Sequence, residues 1–117
     1  MRKTVKINDY DFDALIDTGS TITLIRESVY HTLGRPTLSP TKIKLTSFGK
    51  NEIKLFGYFK STVYIEDNKF KTEIYVIDNS QTTIDVIIGT DILKQTEFKI
   101  RANGIELIPK KKNTLLI

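Results

Sequence analysis

Asp17 closes an apolar string, Ala14-Leu15-Ile16, and Thr18, Gly19 and Ser20 follow it at once. The chain then turns apolar again at Ile22-Thr23-Leu24-Ile25. A carboxylate at the end of a buried strand is costly to ionise without partners, so it needs a reason to be there. Gly19 permits a close backbone approach and a conformation closed to other residues. Thr18 and Ser20 bring hydroxyls that can lock a loop and hydrogen-bond a carboxylate. Asp-x-Gly turns are common, so the tripeptide alone leaves two readings open, a turn residue and a reagent.

Little else in the chain offers chemistry. There is no cysteine, which excludes a disulfide framework and a Cys-based zinc site. A single histidine, His31, builds no His-rich metal site and reads as a surface residue of a connection. No metal and no cofactor is therefore expected. The apolar runs are only a few residues long and "MRKTVKIND" lacks the apolar centre of a signal peptide, so no membrane partner is expected. The absence of cysteine and of Asn-x-Ser/Thr fits an intracellular, reducing setting. The formal charge of +4 favours acidic partners in general. The basic residues are scattered, however, apart from Lys110-Lys111-Lys112, and Tyr58, Phe59, Tyr64, Phe70 and Tyr75 alternate as core and cross-strand pairs do. The motif of an RNA-binding aromatic platform is missing, so nucleic acid is not an expected partner.

The elements that must position Asp17 are mostly strands. At 117 residues the chain fits one domain, residues 1–117. Thr, Ile, Val, Tyr and Phe are plentiful and alanine is confined to Ala14 and Ala102, which favours sheet. "KTVKIN" alternates with period two and turns at Asn8-Asp9 into "FDALI". "TLI" is a short buried strand, and "RESVYHTLG" is a helical or irregular connection stopped by Gly34. "KIKLTS" and "EIKLFGYF" flank a hairpin tip at "FGKN". "KSTVYIEDNKFKTEIYVID" is two strands joined at Glu66-Asp67-Asn68-Lys69. "TTIDVIIG" is a buried strand ended by Gly89. Thr90 or Asp91 then caps a helical turn or two in "TDILKQ". "FKIRANGIELI" is a last hairpin on Asn103-Gly104. Short strands at this spacing with one brief helix predict a closed, all-β domain.

Three stretches in order carry a resemblance that covers most of the chain. "ALIDTGST" (14–21) resembles the active-site signature of aspartic proteases, apolar-apolar-Asp-Thr-Gly-Ser/Ala. "DVIIGTDIL" (85–93) resembles the second hallmark, an apolar-apolar-Gly strand leading into a short helix beneath the catalytic loop. "TSFGKN" (46–51) stands where that family carries its flap hairpin. The chain is thus similar to retropepsins, the retroviral-type aspartic proteases, and "DVIIGTDIL" leans towards those of long-terminal-repeat retrotransposons. The resemblance implies a closed retropepsin-like acid-protease barrel with a flap hairpin and one short C-terminal helix.

It also implies an activity and a set of roles. Hydrolysis of this type uses two carboxylates sharing a proton, and two like charges that close cannot both ionise easily. Two-lobed cellular enzymes carry both Asp-Thr-Gly copies in one long chain; this chain has one, so the resemblance implies a two-fold homodimer with Asp17 from each subunit. Thr18 would bond across the dimer axis, Gly19 would let substrate pass close, and the Ser20 hydroxyl would donate to Asp17 and favour its ionised form. Leu15, Leu24 and Ile87 match substrate-pocket positions. Asp85 matches one that is usually apolar in retroviral relatives, and either contacts the pocket or faces solvent. Phe48 would cover the substrate and Gly49 would offer a backbone N–H through water. The implied substrate is a peptide or a Gag-Pol-type polyprotein, and the implied setting is the cytoplasm or a virus-like particle. The alternative is a protease-like dimerisation or peptide-binding module without catalysis. Two departures bear on assembly: Thr21-Ile22 stand where the best-known retroviral enzymes are acidic, and Thr90 where they carry arginine. The tail 109–117 either adds an interface strand through Leu115, Leu116 and Ile117 or is a frayed end.

Overall fold

A computed structural model describes residues 1–46, 52–101 and 104–109. Two tight turns with positive φ at both central residues form the first and the longest hairpins of the barrel. Asn8 and Asp9, at φ of 49° and 68°, join β1 (Arg2–Ile7) to β2 (Tyr10–Ile16), with Ile7 opposite Tyr10. Glu66 and Asp67, at 50° and 67°, join β6 (Leu55–Ile65) to β7 (Asn68–Ile77), with Ile65 opposite Asn68. Positive φ at both central positions matches the twist of the flanking strands, and Asn and Asp tolerate it better than most residues. Asn68 and Lys69, expected in the second turn, belong instead to β7.

β3 (Thr23–Arg26) and β8 (Val86–Ile88) are short and pair with each other between the longer strands β2 and β7. The barrel closes in the order β1-β2-β8-β3-β7-β6, which returns to β1. Its mixed character lies at the centre: β2 runs parallel to β8, and β3 runs parallel to β7 but antiparallel to β8. Period-two alternation sends Val5, Ile7, Ala14, Ile16, Ile25, Val63, Ile65, Ile74, Val76, Val86 and Ile88 into one interior cluster. The closed all-β barrel is as expected.

One open alternative is resolved and two local expectations change. The segment 27–32 is helical, α1 (Glu27–Thr32), so the brief C-terminal helix α2 (Thr90–Leu93) has a companion. The N-cap of α2 is Gly89 with no side-chain bond; Thr90 and Asp91 stand inside the helix. The predicted strands in "EIKLFGYF" and "KSTVYI" are largely one, since nothing between Phe59 and Lys60 turns the chain. This long β6 bends at Leu55/Gly57, where the register shifts. Gly57 sits at φ 138°, and a Cβ there would lie 2.6 Å from the Ser39 carbonyl oxygen, so only glycine suits this bend. Beyond it β4 (Leu45–Thr46) pairs with β5 (Glu52–Ile53), the stem of the hairpin between the two hallmark motifs. Its tip, with Phe48 and Gly49, lies outside the described residues. β9 (Thr96–Arg101) and β10 (Gly104–Pro109) form a separate antiparallel pair, with Gly104 opposite Arg101 as the first residue of β10. Tail residues 110–117 lie outside the described residues too.

Candidate active site

The Asp17 loop grows directly out of the barrel. One rung past the paired ends of β2 and β8, the Asp17 N–H donates to the Ile88 carbonyl at 2.9 Å. The chain then turns, with the Ser20 N–H donating to the Asp17 carbonyl at 3.1 Å. The Gly19 N–H donates to Asp17 Oδ1 at 2.9 Å, so one carboxylate oxygen is oriented by the turn that follows it. Gly19 is not among the positive-φ residues; what it supplies is room, since a Cβ would lie 3.2 Å from Asp17 Oδ1. The close approach expected of Gly19 is there and the special conformation is not. Thr18 is exposed, and Asp17 is partly exposed.

Ser20 departs from its expected role. Its hydroxyl donates to the Ile22 carbonyl at 2.7 Å, not to Asp17. That carbonyl lies two residues on, in the same irregular segment, and takes the proton locally. The expected support of Ser20 for ionised Asp17 therefore has no hydrogen bond beneath it in this chain.

Under the loop, α2 is seated by contacts the sequence reading did not single out. The Thr90 N–H donates to the Ser20 carbonyl at 2.8 Å, and the Gly89 N–H to Thr23 Oγ1 at 3.3 Å. Thr23 is fully buried and donates to Asp91 Oδ1 at 2.8 Å. Thr72 Oγ1 donates to Asp91 Oδ2 at 2.6 Å, and the Ile92 N–H reaches Asp91 Oδ1 at 2.9 Å. One carboxylate thus ties α2 to β3 and β7 through two hydroxyls, satisfying a polar group in a largely apolar place. A Cβ at Gly89 would lie 2.3 Å from the Ile22 carbonyl oxygen and 2.8 Å from that of Ser20. The only sequence signal for this was a glycine before a helix, which reads equally as a strand end.

Three of the pocket candidates, Leu15, Leu24 and Ile87, fall on one row. Leu15 stands opposite Ile87, Ile87 opposite Leu24, Leu24 opposite Tyr75 and Tyr75 opposite Tyr58. Directly paired residues share a face, so this row crosses five strands on the side away from the barrel interior. Leu24 and Tyr75 are buried there with Ile22 and Ile77, and Ile87, Tyr58, Leu45, Ile53 and Leu55 pack around them. Asp17 shares the face with Leu15, two residues before it. Tyr58 and Tyr75, whose rings lie 5.3 Å apart, read in sequence only as a cross-strand pair and also extend the row towards the hairpin stem. Burial first, and then the charge and hydrogen bond of Glu73, push the Tyr75 phenol above its ordinary value. Asp85 pairs with Arg26 at 2.6 Å. Among the described residues no group of three or more His, Cys, Asp or Glu could hold a metal ion, and no helix is long and apolar enough to cross a membrane.

An outward-facing Asp-Thr-Gly loop over a glycine-seated helix agrees with the comparisons with known proteins. A family model for aspartyl proteases matches residues 4–92. The chain belongs to the aspartyl protease family. This aspartyl protease chain is 28% identical over 109 residues to DNA damage-inducible protein 1 of Yarrowia lipolytica, covering 91% of the chain but only 27% of that protein's length. Its fold is similar to the retroviral protease-like domain of Ddi1 from Leishmania major, at a TM-score of 0.68 and 18% identity, covering 96% of both chains. EIAV protease in complex with the inhibitor HBY-793 follows at 0.67 and 21% identity, with 80% of this chain and 85% of that one covered. A retropepsin-like aspartic protease from Rickettsia conorii also reaches 0.67 and 21%, covering 92% and 80%. The fold of this aspartyl protease family member is retropepsin-like.

Proposed function

We propose that the protein is an aspartic endopeptidase active as a homodimer, with residues 1–117 forming one half of the enzyme. The observation that carries this reading is a single oriented carboxylate, Asp17, in an exposed Asp-Thr-Gly loop of an aspartyl protease family chain. One such group cannot serve as both acid and base, so the second comes from the mate's Asp17. One carboxylate takes a proton from water as its oxygen attacks the scissile carbonyl carbon. The other gives its proton to the carbonyl oxygen. As the resulting diol collapses, one hydroxyl proton returns to the carboxylate that gave its own, the C–N bond breaks, and the leaving nitrogen takes the proton drawn from water. Thr18, exposed in one subunit, bonds across the two-fold axis. Leu15, Leu24 and Ile87 receive the apolar parts of substrate side chains, and Phe48 and Gly49 close over the peptide. The peptide lies as an added strand, held partly by main-chain bonds.

The family's acid–arginine brace has no counterpart, because Thr21, Ile22 and Thr90 occupy those positions; here the Thr90 N–H bonds Ser20 instead. Subunit contact therefore rests on other residues than that brace. The natural substrate is a polyprotein of a retroelement if the leaning of "DVIIGTDIL" holds. Similarity to DNA damage-inducible protein 1 over 91% of the chain supports a protein substrate outside any retroelement. Both readings fit a cytoplasmic setting, and the retroelement reading also fits a virus-like particle. The test is cleavage of a denatured protein mixture at mildly acid pH by the chain and by Asp17→Asn. Cleavage that vanishes with Asp17→Asn supports the peptidase; none above that variant leaves the binding-module reading.

A further inference from the structure

The charged pair at the far end of the apolar row has no part in the chemistry above. In the β3–β8 ladder Leu24 faces Ile87 and Ile25 faces Val86. The Arg26 N–H donates to the Asp85 carbonyl at 3.1 Å, which makes Arg26 and Asp85 the next rung. Residues two apart on a strand share a face, so this rung presents its side chains on the face of Leu24 and Ile87. Asp17 lies at the opposite end. Leu15 is level with Ile87 in the parallel β2–β8 register, which sets Asp17 level with Gly89. From there to Asp85 is about 13 Å along the strand direction.

The pair is lopsided. Arg26 donates from Nη2 at 2.6 Å and from Nε at 3.2 Å, both to Asp85 Oδ1. Oδ2 accepts no bond among the described residues, and 40% of the Asp85 side chain is exposed against 24% for Arg26. An apolar row that ends on a carboxylate oxygen with room for a further donor has the chemistry of one kind of side chain. Lysine and arginine lay an apolar stem on a surface and carry a cation at the tip. Leucine or phenylalanine in the same place would cover Asp85 and leave its second oxygen desolvated and unbonded.

We propose that Asp85, held by Arg26 through one oxygen, is a specificity determinant that receives the basic tip of a substrate lysine or arginine whose stem lies along Leu15, Ile87 and Leu24. The inference rests on the reading of this face as a substrate cleft and deepens it by naming a substrate class. Arg26 is a positioning residue: it fixes the carboxylate and keeps the empty site near neutral. If the pair serves only to tie β3 to β8, its charges have no bearing on which peptide is bound.

Extended peptides identical except for Arg, Leu or Glu at one position on either side of the centre provide the test. Their retention is measured on the immobilised Asp17→Asn chain, which reads binding without cleavage. Arg peptides are expected to be held over Leu peptides by roughly fivefold at one position, the reach of a partly exposed ion pair. Adding Asp85→Asn, which keeps the shape, abolishes that preference and brings Glu peptides ahead, because Arg26 is left unmatched. Adding Arg26→Leu widens it. The same ranking in all three proteins overturns the proposal. Cleavage of the same peptides by the chain with Asp17 intact is scored separately. Cutting with an unchanged ranking removes the basic subsite and keeps the peptidase; charge-ranked retention without cutting does the reverse.

Discussion

Replacing Gly89 with alanine is expected to unseat the helix that supports the Asp17 loop. The added Cβ would lie 2.3 Å from the Ile22 carbonyl oxygen, 2.7 Å from its carbon and 2.8 Å from the Ser20 carbonyl oxygen. All three are backbone atoms, so no rotamer change relieves the clash. Gly89 itself sits at φ −99° and ψ −175°, extended backbone that alanine adopts freely, so the cost is steric. Relief needs the two segments to part by about 1 Å. That stretches the bond from the Thr90 N–H to the Ser20 carbonyl and the one from the Gly89 N–H to the buried Thr23 hydroxyl. Overpacking costs about 1–3 kcal/mol and each strained bond about 1 kcal/mol more. The total, about 3–5 kcal/mol, is a large share of the ~5–15 kcal/mol that holds a domain together. Urea unfolding followed by circular dichroism measures it, and the melting temperature should fall by about 10 °C or more. Gly34→Ala is the control, since nothing lies within 4 Å of that Cβ although φ is +89°; it should cost only about 1 kcal/mol. Gly89→Ala no more destabilising than Gly34→Ala would refute the contact argument.

Three further outcomes follow from the same geometry. Asp91→Ala strands the Thr23 and Thr72 hydroxyls and should cost about 2–3 kcal/mol in urea unfolding, with Asp91→Asn clearly milder because it keeps an acceptor; equal losses would contradict the shared-carboxylate network. Gly19→Ala places a Cβ 3.2 Å from Asp17 Oδ1 and should leave stability within about 1 kcal/mol while lowering kcat roughly tenfold or more; unchanged kcat would show that the loop tolerates the shift. The Tyr75 phenol is held above 10.0, mainly by burial and then by Glu73. The folded chain therefore keeps a proton that the unfolded chain gives up, and stability present below that pH is lost as pH rises past it. Melting temperatures from pH about 9 to about 11 should fall faster for the wild type than for Tyr75→Phe, and parallel curves would contradict the burial argument.

Local patterns carried much of the fold. Asn8-Asp9 announced its turn because Asn and Asp suit left-handed backbone, the second turn was legible only to within Glu66-Asp67-Asn68-Lys69, and the alternation in "KTVKI" and "KFKTEIYVI" announced which residues face inward. The order of strands was not legible. Parallel pairing of β2 with β8 and of β3 with β7 joins residues far apart in sequence, and short apolar strands such as "TLI" carry no mark of their neighbours. The site shows the same division. Asp17, Thr18, Gly19 and the apolar positions Leu15, Leu24 and Ile87 were readable as a motif, and the register sets the last three side by side. The Ser20 hydroxyl was misassigned because a hydroxyl near two acceptors does not declare its choice in sequence. Thr23 and Thr72 were passed over as ordinary polar residues and Asp91 was read only as a candidate cap, since only the folded chain brings β3, β7 and α2 together around one carboxylate.

The claim that the catalytic site is shared between two copies of Asp17 is tested most directly by mixing. Wild-type chain and Asp17→Asn chain are unfolded together, refolded at constant total concentration and assayed for peptide cleavage, with sedimentation confirming that the dimer fraction stays constant. If each site needs one aspartate from each subunit, activity follows the square of the wild-type fraction, because every mixed dimer is inactive. Activity that falls only in direct proportion to that fraction would mean that a single Asp17 suffices, and the dyad account would be wrong.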